Sequence, residues 1–234
     1  LIRDMKNPLA TRLELRSPNP YTNTYTCIAL CYLAALDGIR YAVESNKESA
    51  AFLKELSKEP GEAADYLDDA RAYRTENDLF VYYTEEERST RFSCPPTTVW
   101  ENIRLMKQYP DKKRHLAAGD AFSERLMDSF LAGVIHRWKL ELYNRIITEN
   151  NEQVRACKRL NNENELDESR WRDIDARRHY LAKDRPDELS LLSRIRAALR
   201  NEDYDTASKL QVEMNEKMIE LDALYYEYRE NLID

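Results

Sequence analysis

From Thr24 to Leu36 the chain reads TYTCIALCYLAAL, and wound into an α-helix this segment is apolar almost all round, through Tyr25, Ile28, Leu30, Tyr32, Leu33 and Leu36. A helix with no polar face must be enclosed by protein. Asn23 or Thr24 is expected to cap it and Gly38 to end it. Just upstream, residues 10–16 alternate, with Arg12, Glu14 and Arg16 on one face and Leu13 and Leu15 on the other. That is the pattern of a half-buried strand, closed by Pro18 and Pro20, which cannot donate to a sheet ladder. One strand cannot enclose a helix, so the sequence asks for further packing partners. A chain that starts at Leu1 and plunges directly into LIRDMKNPLATRLELR is expected to be the C-terminal piece of a longer protein.

The remainder of the 234 residues is helical in character. Charged residues make up 34% of the chain, with only 4 Gly and 8 Pro, which suits long solvated helices better than a turn-rich β fold. A mean hydropathy of −0.76 and the lack of a long uninterrupted apolar run argue against a membrane span. The net charge of −7 offers a nucleic acid no general attraction. Helices are expected at Ser49–Leu56 and Glu62–Tyr73, separated by Pro60-Gly61, and at Thr98–Gln108 after Pro95-Pro96. The run Leu79–Tyr83 is open between a short strand and a buried loop. Ser123 is placed to cap a long helix whose stripe carries Leu126, Phe130, Leu131, Val134, Ile135, Trp138, Leu142 and Ile146. The polar stretches around Asn150-Asn151 and residues 161–164 are expected to weaken or break it before Trp171. Two helices follow, Leu189–Leu199 and one from the turn Asn201-Glu202-Asp203 to about Ile233. Leu192, Ile195 and Leu199 face Ala207, Leu210, Met214, Met218, Leu221, Tyr225, Tyr228 and Leu232, the pattern of an antiparallel hairpin.

Arg12, Glu14 and Arg16 form the candidate site. Alternate strand positions set three charged heads on one face at roughly 6–7 Å spacing. Such a row is either a solvated face of alternating charge or a phosphoryl site. In the second case the carboxylate holds a hard divalent cation and the arginines grip phosphate oxygens. Other candidates are weaker. His115, His136 and His179 lack ligand-spaced partners and read as surface or interface histidines. Cys27, Cys31, Cys94 and Cys157 lack paired metal spacing and read as packed thiols of a reducing, cytoplasmic compartment. Tyr225, Tyr226 and Tyr228 read as seam packing.

The stretch RLELRSPNPYTNTYTCIALCYLAALDGI resembles the final segment of the glutamine synthetase catalytic domain. There an Arg-x-Glu-x-Arg strand leads through a Pro-x-Pro turn and an Asn-Pro-Tyr helix start to a helix ending Leu-Asp-Gly-Ile, here Leu36-Asp37-Gly38-Ile39. LAAGDAFSERLMDSFLAGVIHRWKLEL is similar to the family's C-terminal helix region, while residues 47–114 match poorly. Two departures stand in the first block, Asn23-Thr24-Tyr25 and Pro18-Asn19-Pro20. The resemblance implies that Glu14 helps hold Mg2+ or Mn2+ between ATP phosphates. It gives Arg12 a contact with ATP phosphates, and Arg16 one with the transferred phosphoryl group and the glutamate. Arg3 becomes a further substrate-binding arginine, at a shorter spacing from Arg12 than the family pattern. The implied reaction is ATP-dependent amidation of L-glutamate by ammonia through γ-glutamyl phosphate, in a ring-shaped homo-oligomer, without membrane or nucleic-acid partners.

The fold class expected is mainly α, with one or two short strands, a long helix and the terminal hairpin. Residues 1–148 make the catalytic-domain segment and 149–234 a helical extension with its hairpin at 187–233. The family's remaining metal ligands and nucleotide pocket lie upstream, so the isolated chain is expected to be inactive. The segment IRAALRNEDYDTASKLQVEMNEKMIEL also resembles the helical hairpin of nucleotide-excision-repair subunits and some chaperone-partner proteins. The rival reading is a non-catalytic helical interaction or oligomerisation module.

Overall fold

The structure, a computed structural model, describes residues 6, 7, 9, 18, 22–160 and 165–230. The charged strand expected at residues 10–16 lies outside the described residues. Among the described residues the chain is helical and has no strand. It divides into two compact units, residues 1–94 with 111–123, and residues 95–110 with 124–234.

The first unit holds α1 (Thr24–Ser45), α2 (Ser49–Leu56), α3 (Leu79–Tyr82) and α4 (Glu85–Phe92), then α5 (Val99–Gln108) falls in the second unit, and most of α6 (Pro110–Leu116) returns to the first. Asn23 caps α1, its Oδ1 accepting from the Thr26 amide at 3.0 Å. Gly38 does not end the helix. The chain keeps helical geometry for another turn and more, and Asn46 (φ 48°) supplies the left-handed cap instead. The reason lies in Tyr41, whose ring stacks on Tyr66 at 4.3 Å and meets Phe52 edge-on at 5.3 Å, contacts available only if the helix continues past Gly38.

Residues 62–73 are irregular, which corrects the helix expected there. Lys58 is the reason. Its ammonium is buried and donates to the carbonyls of Asp69 at 3.0 Å and Arg71 at 2.9 Å, binding that segment as a loop around a cation. The run from Leu79 is neither strand nor buried loop. It is one helical turn capped by Asp78, with Phe80, Val81 and Tyr82 exposed. Among its described residues the first unit buries only Lys58 and Ala72.

The second unit is organised around a core. Thr98 caps α5 with a reciprocal capping box through Glu101. A continuous helical path then runs through α7 (Glu124–Leu140), a π-helical segment (Glu141–Ile146) and α8 (Ile147–Ala156), unbroken at Asn150-Asn151. The π segment resolves a phase problem. Leu142 and Ile147 are both fully buried, yet five residues turn an α-helix by about 500°, roughly 140° out of register. A wider turn absorbs the additional residue. The core therefore takes Ile147 fully, where the α-period favoured Ile146.

Next come α9 (Glu165–Ala182), α10 (Leu191–Arg200) and α11 (Tyr204–Glu230). The hairpin α10–α11 forms as its spacing predicts, with Leu192, Ile195, Leu199, Ala207, Leu210, Met214, Leu221 and Tyr228 in one core, and α9 closes a third side through Ile174 and Leu181. Tyr225 and Tyr228 pack this seam and accept from the amides of Lys158 and Leu160, whereas Tyr226 is exposed. The hairpin turn is a Schellman motif: Asp203 N–H donates to the Ala198 carbonyl at 3.0 Å and Glu202 N–H to that of Leu199. Glu202 takes the left-handed conformation (φ 57°) normally given to glycine. Asp203 then starts α11 by accepting from the Thr206 amide at 3.1 Å.

Replacing Leu199 by Ala lowers the unfolding free energy of the second unit by about 2–5 kcal/mol in urea titrations, because the side chain is wholly enclosed. Glu202→Gly raises it by about 0.5–1 kcal/mol by relieving the left-handed strain. A destabilising Glu202→Gly contradicts the turn geometry.

Candidate functional site

Arg3, Arg12, Glu14 and Arg16 lie outside the described residues, so the structure brings none of them together and separates none. What can be described is the helix they lead into. α1 buries none of its 22 residues. Tyr25 is 86% exposed, and Tyr32, Ile39 and Val43 stand well out. By length and composition it is also able to cross a membrane, with a mean hydropathy of 1.4 over its best 18-residue window. That qualifies the expectation, read from the whole chain, that no segment is apolar enough to span. The core helix of a soluble protein passes the same test.

The first unit carries one polar constellation that sequence reasoning missed. Asp37, in the middle of α1, has Oδ1 2.9 Å from His115 Nδ1 and accepts from the Tyr66 hydroxyl with Oδ2. The three enclose one end of a cleft of about 440 Å³ whose walls are Leu33, Leu67, Tyr73 and Leu116. Desolvation, and then the hydrogen bond donated to the Asp37 carboxylate, pushes the Tyr66 phenol up to about 12. Beside it, Lys47 donates to the Tyr41 hydroxyl at 2.9 Å and to Glu55 at 2.9 Å, and also to Asp65. The Asp65 hydrogen bond leads the set that raises the Lys47 ammonium above the usual lysine range. Lys47 is thereby a cross-link from the end of α1 to α2 and the loop beyond.

His115 is exposed, as expected of a surface histidine, and it faces Asp37. Its partner is remote in sequence, and no spacing rule would have found it. His179 Nδ1 stands 3.7 Å from Asp175 Oδ2 on its own helix. Among the described residues no group of three His, Cys, Asp or Glu side chains comes together to hold a metal ion. Of the four free thiols, Cys157 is buried, with its acidity reduced by desolvation, and Cys31 and Cys94 are exposed instead of packed.

Compared with known proteins, the chain is 30% identical over 127 residues to a glutamine synthetase of Vibrio cholerae, an alignment that takes in 54% of this chain and 20% of that relative. The chain thus spans about a fifth of the length of the relative it matches. No protein-family profile matches the chain. No solved structure matches it. The similarity gives partial support to a glutamine-synthetase-related region, a ligase-like origin, in a mainly helical chain.

A raised phenol pKa means the protonated form is favoured by folding. The Tyr66 contribution to stability is complete below about pH 10, the ordinary tyrosine value, and disappears as pH rises through about 12. Tyrosinate absorbance titration of wild type and Tyr66→Phe is expected to differ by one late-ionising phenol, and Asp37→Asn to bring that ionisation down. A Tyr66→Phe difference curve centred on the ordinary value refutes the Asp37 contact.

Proposed function

We propose that this chain is a segment of a glutamine-synthetase-type ligase. The full-length protein would transfer the ATP γ-phosphoryl group to the side-chain carboxylate of L-glutamate, after which ammonia displaces phosphate from γ-glutamyl phosphate. The observation that carries this reading is the 127-residue similarity to the Vibrio cholerae glutamine synthetase. Glu14 is assigned to a divalent cation (Mg2+ or Mn2+), Arg12 to ATP phosphates, Arg16 to the transferred phosphoryl group and glutamate, and Arg3 to the substrate. A single carboxylate cannot complete a magnesium shell, and the described residues supply no second cluster. The other ligands are therefore assigned to parts of the full-length protein beyond this chain. No step is assigned to the metal within it. The cytoplasm is the proposed compartment, and self-association into a ring the proposed assembly.

The exposed apolar surface of α1 supports the same reading, because a helix with no buried residue requires cover that the described residues do not supply. One observation favours the rival, a non-catalytic interaction module. The second unit is a helical bundle with a core of its own, able to serve as a binding scaffold without chemistry.

In the full-length protein, Glu14→Gln is expected to abolish glutamine formation while leaving the circular dichroism spectrum and melting temperature unchanged. The purified 234-residue chain is expected to form no glutamine from glutamate, ammonia and Mg-ATP. Undiminished turnover in Glu14→Gln decides for the interaction module.

A further inference from the structure

The π-helical segment of the second unit lies beside a cleft of about 370 Å³ lined by Leu140, Tyr143, Asn144 and Leu199. Lys139 and Arg200 line it, and Arg196 reaches the ring of Tyr143 on its border. Lys139 precedes Tyr143 by one turn, and Arg196 and Arg200 lie one turn apart on α10. The guanidinium carbons of both arginines stand 5.9 Å from the centroid of the Tyr143 ring, and Arg200 Nη2 donates to the Tyr143 hydroxyl at 3.3 Å. Like charges one turn apart on a helix face repel, so this pairing lowers the stability of α10 unless an anion sits between them.

Carboxylates do not fill that role. Glu202 Oε1 reaches only Lys139, at 3.7 Å, and its side chain is 70% exposed. Asp184, whose carboxyl feels the Arg196 charge, is held in accepting from Ser190 and Ser193. Among the described residues neither Arg196 nor Arg200 has a carboxylate within ion-pair distance. In a chain whose net charge is −7, two guanidinium groups beside a cleft with no ion-paired carboxylate are a local reversal of sign.

We propose that this cleft binds a phosphate-bearing small anion. The guanidinium forks of Arg196 and Arg200 receive the phosphoryl oxygens, and Lys139 adds a point charge. The π segment is what makes the site. Its widened turn keeps Leu142 in the core while Tyr143 and Asn144 border the cleft. Leu140, exposed at the cleft, offers an apolar floor to an organic group attached to the phosphate. The site is independent of the proposed ligase chemistry, since it uses none of Arg3, Arg12, Glu14 or Arg16.

Isothermal titration of the 234-residue chain with pyrophosphate and with AMP, at low ionic strength, tests this. Saturable one-to-one binding of either is expected, weakened at least about tenfold by Arg200→Ala and again by added salt, and unchanged by Arg194→Ala. Tighter binding of AMP identifies a nucleotide-like ligand using the floor; equal or weaker binding identifies the phosphate alone. Arg200 is exposed, so the variant should fold, and Arg200→Lys and Arg196→Gln serve as parallel variants with circular dichroism as the check. No saturable heat with either anion, or equal affinity in Arg200→Ala, overturns the proposal.

Discussion

The seam shared by α10 and α11 is the constraint to which the rest of the second unit answers. Leu192, Ile195 and Leu199 share one buried core with Leu210, Met214 and Leu221, and the Schellman turn at Glu202 fixes the register in which they meet. Once that register is set, α9 has one apolar line to offer, Ile174 and Leu181, and one groove to receive it. The long helix from Glu124 must then present Trp138, Leu142, Ile147 and Val154 to the same core, although their spacing does not fit a single α-helical phase. The π segment is the deformation that reconciles them. Polar groups follow suit: Thr98 and Ser208 share a buried hydroxyl contact of 2.6 Å, and Trp138 Nε1 donates to Gln211 at 2.9 Å.

The first unit is built on the opposite principle. With only Lys58 and Ala72 buried among its described residues, its order rests on hydrogen bonds to Lys58, Lys47, Glu55 and Asp37. Each such bond exchanges a bond to water and nets only about 1 kcal/mol, whereas chain ordering costs about 1–2 kcal/mol per residue. A unit of this make-up gains little from folding alone, and its exposed apolar helix is where additional burial would come from.

Helix period made the hairpin legible in the sequence, because Leu192, Ile195 and Leu199 repeat at three and four, and Pro95-Pro96 marked the start of α5. The same rule missed α9, whose ELDESRWRDIDARRHYLA carries only two fully buried apolar side chains, seven residues apart, among charges. Gly38 misled because glycine ends a helix only when the backbone turns left-handed, and Tyr41 holds the chain helical beyond it. Residues 62–73 misled because a buried lysine, not periodicity, shapes them. The Asp37–Tyr66–His115 constellation was illegible in principle: its members lie on three separate segments that only the fold joins. The Arg12–Glu14–Arg16 row was legible as a pattern, and its geometry lies outside the described residues.

Whether α1 is covered by lipid or by protein is a question that length and hydropathy cannot decide, but Asp37 bears on it. A span centred on Thr24–Ser45 would place this carboxylate near the bilayer midplane, at a cost of at least about 2.5 kcal/mol. It would also bring its partners Tyr66 and His115, and the charged segments that carry them, towards the hydrocarbon. A protein cover asks for no such transfer. Its apolar surface can close over Tyr25, Ile28 and Tyr32 while the Asp37 side of the helix keeps the phenol and imidazole it already holds. The polar contacts of one residue therefore favour a protein environment for a helix whose composition alone would read equally well as either.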